Sequence, residues 1–174
     1  SKSTAAHSTL TLDNSSACNF KKNSKGLSTV SKGFRTFDNQ VAYGRDLWSI
    51  TCSHDGYLSR YGVIHQRTLG FNPNKNIIFG KEKLIKKKNF KSTNFEIRFH
   101  LLPNLKVTKI QDNNSVLIEL ENSGWRFFSK DGLIGVETGL YFGNKNNYIE
   151  NQNIFNSGIT QNDEQIIEWQ ISKI

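Results

Sequence analysis

SHDGYLSRYGVIHQRTL, residues 53–69, and FEIRFHLLP, residues 95–103, decide the reading of this chain. In the second stretch Phe95, Ile97, Phe99 and Leu101 alternate with Glu96, Arg98 and His100 until Pro103-Asn104 breaks the run. Side chains on a strand point to alternate faces, so this is a strand with one apolar face. In the first stretch, Tyr61 to Leu69 reads as a strand that follows the Asp55-Gly56 turn signal. Each strand carries a histidine and an arginine two residues apart, His65 with Arg67 and Arg98 with His100. Residues i and i+2 share a face, so each pair points one way. The parity predicts one sheet surface bearing all four, built to meet an acidic, oxygen-rich partner. The alternative is a set of ordinary solvent-facing positions.

The same period recurs outward from these strands. Thr9 to Leu12 alternates up to Asp13-Asn14, and Leu47 to Cys52 is a mostly apolar strand. Val116, Ile118 and Leu120 alternate between Asn113-Asn114 and Asn122-Ser123-Gly124. Trp125 to Phe128 closes at Asp131-Gly132, and Leu133 to Phe142 follows as another strand. Ile167, Trp169 and Ile171 alternate at the end. Strands about ten residues apart with Asn/Asp/Gly punctuation predict an all-β fold, an antiparallel β-sandwich, as one domain over residues 1–174. No internal repeat or amphipathic helix is visible. Residues 21–33, 85–92 and 144–147 read as irregular: a polar stretch, a basic loop and a turn.

Composition bounds the partners. The formal net charge is +8, with lysine far commoner than arginine. Such a surface favours polyanions, and lysine supplies general attraction more than forked readout of a base or phosphate. No helix-turn-helix, zinc-finger or RRM signature is present, so nucleic acid is not the expected partner. No run approaches 18 apolar residues, which excludes a membrane-spanning helix. Twelve Phe and no Met fit a sheet core built from a few large side chains. Cys18 and Cys52 lack metal or redox spacing; they either pair or remain free thiols.

Five segments carry a resemblance: STAAHSTL (3–10), HDGYxxRYGVxHxR (54–67), IRFHLLP (97–103), GWRF (124–127) and QIIEW (165–169). In this order they resemble the C-terminal half of the heparinase II/III-like family of polysaccharide lyases and relatives. The resemblance implies a C-terminal β-sandwich joined in a longer parent to an N-terminal α/α toroid. It implies an acidic, uronate-containing polysaccharide as substrate, β-elimination as the reaction, and a bacterial periplasm or cell envelope as the location. The chain is expected to be a fragment of such a parent. The Tyr and Asn that perform the chemistry in this family belong to the toroid, so this chain alone is expected to be inactive. Two other readings stand beside it: a non-catalytic glycan-binding or scaffold domain, and a basic nucleic-acid-binding β domain supported by charge alone.

The resemblance also nominates residues. Family members carry two alternating histidines in the early motif, one beside substrate and one on a metal. Ala5 stands where the first would fall, and His7 matches the second. His7 and His54 are therefore the candidate metal pair; His7 is also the segment's one candidate catalytic residue, although Ala5 counts against direct chemistry there. Zinc is the metal such a pair would take, given a third ligand. Residues 21–28 hold no carboxylate, which leaves Asp13 and Asp38 as substitutes for the family's intervening aspartate. The alternative is that both histidines are satisfied by hydrogen bonds. Tyr57, beside Arg60, joins His65, Arg67, Arg98 and His100 as a candidate substrate contact, because a nearby cation lowers a phenol pKa. Its alternative is packing, as for Trp125 and Trp169. The lysine run 86–88 is either a contact for an anionic chain or a solvated loop.

Overall fold

The computed structural model describes residues 3–112, 114–144, 147–161 and 163–174. Two antiparallel sheets face each other. Strands numbered in chain order form the smaller one: β1 (Leu10–Leu12), β8 (Asn94–His100), β13 (Asn147–Ile159) and β12 (Leu133–Asn144), in that spatial order. The larger has eight strands in the order β4 (Thr36–Tyr43), β5 (Trp48–His54), β6 (Val63–Asn72), β7 (Ile77–Lys86), β14 (Gln165–Lys173), β11 (Ser123–Ser129), β10 (Ser115–Leu120) and β9 (Lys106–Lys109). A separate hairpin joins β2 (Asn19–Lys22) to β3 (Ser28–Lys32). The expected all-β sandwich is the observed fold.

The core follows from strand parity. Leu10, Leu12, Phe95, Ile97, Phe99, Ile134 and Ile154 enter from the small sheet; Val63, Leu84, Val116, Ile118, Phe127, Ile167 and Trp169 enter from the large one. Phe99 crosses the interlayer to Phe127 and Trp169, with ring centroids 4.8 and 4.7 Å away. Aromatic pairs at such separations contribute about 0.5–1.5 kcal/mol each beyond burial. Trp169 lies directly across Gly80, where an added Cβ would fall 2.1 Å from the indole; glycine makes room for the ring.

Three expectations need correction. Residues 21–33 are not irregular but hold most of the β2–β3 hairpin. Both its strands are largely exposed, so no alternation of apolar and polar residues announces them. Its turn is closed by the Asn23 side chain, which accepts from Lys25 and Leu27 N–H, and by Gly26 at φ +72°. The strand expected from Tyr61 begins at Val63. Leu58–Tyr61 forms one helical turn, which Gly62 ends in the left-handed region at φ +65°. The basic loop starts later than expected, since Ile85 and Lys86 close β7. Asn113 and residues 145 and 146, at two expected turns, lie outside the described residues. Cys18 and Cys52 are free and half-buried. Among the described residues no helix is long and apolar enough to cross a membrane.

Candidate functional site

The segment that begins the chain is strapped across the rim where the two sheets meet. Thr4–Ala6 makes a 3-10 turn and the chain then enters β1. From the large sheet, Arg67 Nη1 donates to the Ser8 carbonyl at 2.5 Å. From the small sheet, the His100 N–H donates to Ser8 Oγ at 3.0 Å, and His100 Nε2 donates to the Ala5 carbonyl at 3.1 Å. The Arg98 N–H holds the Thr9 carbonyl at 3.2 Å. Beneath, the Tyr57 hydroxyl donates to the Leu10 carbonyl at 3.0 Å. Five bonds from three directions, four of them on backbone carbonyls, fix the segment and leave His7 and Ser8 exposed.

Under this strap runs a hydrogen-bonded chain whose direction can be assigned. His54 Nδ1 accepts the Gly56 N–H at 3.2 Å, so its proton sits on Nε2. His54 Nε2 then donates to His65 Nδ1 at 3.0 Å, and His65 Nε2 donates to Glu82 Oε2 at 2.6 Å. Arg67 reaches both Glu82 oxygens, at 2.6 and 2.9 Å, and Trp169 Nε1 donates to Oε1 at 3.1 Å. Glu82 has no solvent exposure. Burial alone would raise its pKa, but the Arg67 guanidinium and the His65 hydrogen bond outweigh this and hold it at about 2. Burial, reinforced by His65, lowers the His54 pKa to about 4.

The relay makes stability depend on pH, with a sign fixed by these shifts. His54 is neutral in the fold down to about pH 4, whereas an unfolded histidine takes up a proton near 6.5. The unfolded state therefore binds more protons in this window, and stability falls as pH drops from about 6.5 to 4. Glu82 adds a second loss from its unfolded value near 4.5 down to about 2. A His54→Gln variant, whose amide can accept from Gly56 and donate to His65, is expected to flatten the upper window alone. The wild-type loss there is on the order of 2 kcal/mol, read from unfolding midpoints across pH. Equal slopes for both proteins would remove His54 as the cause.

The structure separates residues that the sequence grouped. His65 and Arg67 point inward from the large sheet, whereas Arg98 and His100 lie on the outer face of the small one. Parity within each strand holds, but the two strands belong to different layers, so the four do not share one surface. Arg67 and His100 meet only through Ser8. His65 is buried, with 1% of its surface exposed. Arg98 is compensated by Glu96 at 2.5 Å and Glu137 at 3.0 Å. Tyr57 is also buried, and burial outweighs Arg60 to push its phenol pKa up, opposite to the lowering that a base would need. Neither Tyr57 nor His65 is placed to touch a substrate. Trp169 belongs to the core, and Trp125 is half-buried at the edge of that core cluster.

The expected metal pair does not fit this arrangement. Both ring nitrogens of His54 are engaged, one accepting and one donating, which leaves no lone pair for zinc. Asp38 accepts from Ser53 Oγ. Among the described residues no three His, Cys, Asp or Glu side chains come together as a metal site.

Sequence reasoning missed Glu82, the hub of the relay, and Ser8, the hinge between the layers. Glu82 left a signal in β7: Gly80, Glu82 and Leu84 share one face while Lys81 and Lys83 share the other. A lone carboxylate on the apolar face of a strand implies a buried partner.

Residues 1–170 match the C-terminal domain of the heparinase II/III-like family, and the chain belongs to that family. It is a C-terminal domain of the kind found in heparinase II/III-like polysaccharide lyases. Among solved structures, it is similar to a heparan sulfate lyase from Pedobacter heparinus, with a TM-score of 0.74 and 17% identity over 96% of this chain. It is also similar to a heparinase III, with a TM-score of 0.72 and 12% identity over 99% of this chain. This chain spans 24% of the length of each. At these identities the likeness is one of fold. No curated protein matches the chain.

Proposed function

We propose that this chain is the sandwich part of a lyase that cleaves acidic, uronate-containing polysaccharide by β-elimination. It works against an N-terminal α/α toroid of the same parent, in a bacterial periplasm or cell envelope. The observation that carries this reading is the strapped segment, which leaves His7 exposed next to Ser8, the residue that Arg67 and His100 hold. In β-elimination one group neutralises the uronate carboxylate and another removes the proton on the adjacent carbon. The electron pair forms a carbon–carbon double bond as the glycosidic oxygen departs and takes up a proton. His7 is the accessible imidazole of the rim and serves a proton-transfer role there; neutralising the uronate carboxylate falls to the helical domain.

Ala5 supports a second reading, a non-catalytic glycan-holding domain. Its methyl group can transfer no proton, and its carbonyl is bound by His100. One assay separates the two. The chain joined to its helical domain is incubated with heparan sulfate, alginate and other uronate polymers, and unsaturated uronate is followed by its ultraviolet absorbance. Product is expected, and His7→Ala is expected to lower kcat/KM by about 10²-fold or more. Turnover unaffected by His7→Ala would remove His7 from the chemistry. No product on any uronate polymer would favour the glycan-holding domain.

A further inference from the structure

We propose that a basic cleft lined by residues other than those of the Ser8 strap is a second binding site for an anionic saccharide. It rests on the acidic-glycan reading above and adds a place where that glycan is held. The cleft encloses about 910 Å³ between the end of the β2–β3 hairpin, the Leu58–Tyr61 turn and the residues after β7. That lies within the roughly 300–1,000 Å³ of small-ligand sites. Lys32, Arg35, Lys87 and Lys88 line it, against a single carboxylate, Asp55. Asp55 is spoken for: it accepts the Arg35 backbone N–H at 2.8 Å and its Nε at 3.2 Å. Four cations against one carboxylate leave the cleft three charges positive.

Three features distinguish this from a solvated face. Several lysines on the large sheet and at its ends are matched, Lys81 and Lys130 with Glu168, Lys83 with Glu164, Lys106 with Glu119, whereas unmatched ones such as Lys75 and Lys109 stand apart from one another along the chain and the sheet. Lys32, Lys87 and Lys88 face no carboxylate among the described residues, although they converge from two distant segments. The wall that carries Lys87 and Lys88 is pinned. The Lys87 N–H bonds the Gly62 carbonyl and the Lys91 N–H bonds the Tyr61 carbonyl, both at 2.9 Å. A Cβ on Gly62 would fall 2.4 Å from the Asn89 backbone, so the two pieces fit only with glycine there. Lys86, first in the run, turns away onto Phe90, its Nζ 4.3 Å from the ring centroid, which leaves the next two lysines to the cleft.

The ligand class follows from what else is present. Phe34 is 42% exposed in the cleft and braced from behind by His54, ring centroids 4.9 Å apart. A fixed aromatic face beside mobile ammonium groups suits a sugar ring that carries carboxylate or sulfate. Duplex DNA offers charge without an accessible ring and suits a convex basic ridge better than a concavity.

The test is calorimetric titration of the chain with a sulfated, uronate-containing hexasaccharide prepared from heparin, at several salt concentrations. A Lys32→Gln/Lys87→Gln/Lys88→Gln variant is compared with Lys75→Gln/Lys109→Gln/Lys130→Gln, which removes the same charge elsewhere. The cleft variant is expected to bind at least tenfold more weakly with a shallower salt slope, and the control to stay within twofold. Phe34→Ala is expected to weaken binding several-fold at unchanged salt slope. Equal losses in cleft and control variants would overturn the cleft while leaving the lyase reading intact. So would a thymidine decamer that binds as tightly as the saccharide through the same lysines. Absence of any saccharide binding would also overturn it, and the lyase reading would still be decided by its own product assay.

Discussion

Replacing Glu82 by Ala is expected to cost this chain about 3–5 kcal/mol, the range for breaking a buried ion pair from one side. Against a typical total of about 5–15 kcal/mol, that brings a domain close to unfolding. The reason is the number of donors left behind. Arg67, His65 and Trp169 all give hydrogen bonds to this carboxylate, and His65 and Trp169 are buried. Glu82→Gln is expected to recover little, because its amide sets an N–H₂ against donors that need an acceptor. A Glu82→Met/Arg67→Met pair removes the charges together and is expected to regain part of the loss. Urea denaturation of the four proteins measures this, and a Glu82→Ala cost below about 1 kcal/mol would show that the relay is not formed. Arg67→Ala consequently tests the core as well as any substrate contact.

The relay also marks what the sequence could and could not disclose. The alternation in β8 and β14 is set by local parity, and a strand with Phe95, Ile97 and Phe99 on one face has to bury that face. Parity was legible, and with it the sandwich. Which layer a strand joins is decided by hydrogen bonding between segments far apart in the chain. Nothing within β6 or β8 records that β6 pairs with β5 and β7, whereas β8 pairs with β1 and β13. That is why four residues with matching spacing ended on two layers. The β2–β3 hairpin was silent for another reason: with both faces wet, it needs no apolar stripe. His7 could be nominated because its segment resembles a family motif. The basic cleft was not, since Lys32 and Lys87 are brought together only by the fold.

The 174-residue chain assayed alone is expected to release no unsaturated uronate above the buffer background. β-Elimination needs three groups to converge, for the carboxylate, the proton and the leaving oxygen. Around the strap this chain presents one exposed imidazole, His7, beside Arg67, whose guanidinium is largely committed to Glu82 and the Ser8 carbonyl. The other candidates for proton transfer are occupied. Tyr57 is buried and bonded to the Leu10 carbonyl, Tyr61 donates to Ser15 Oγ, and His54 and His65 are spent on each other. A single acid–base group is worth about 10²–10⁴-fold, and losing the electrostatic partner costs a similar factor again. Without both, turnover sinks into the uncatalysed rate. Joining the helical domain is expected to restore it. If the chain alone formed product, and His7→Ala abolished that product, the sandwich would hold a complete active site, and the division of labour proposed between sandwich and toroid would be wrong.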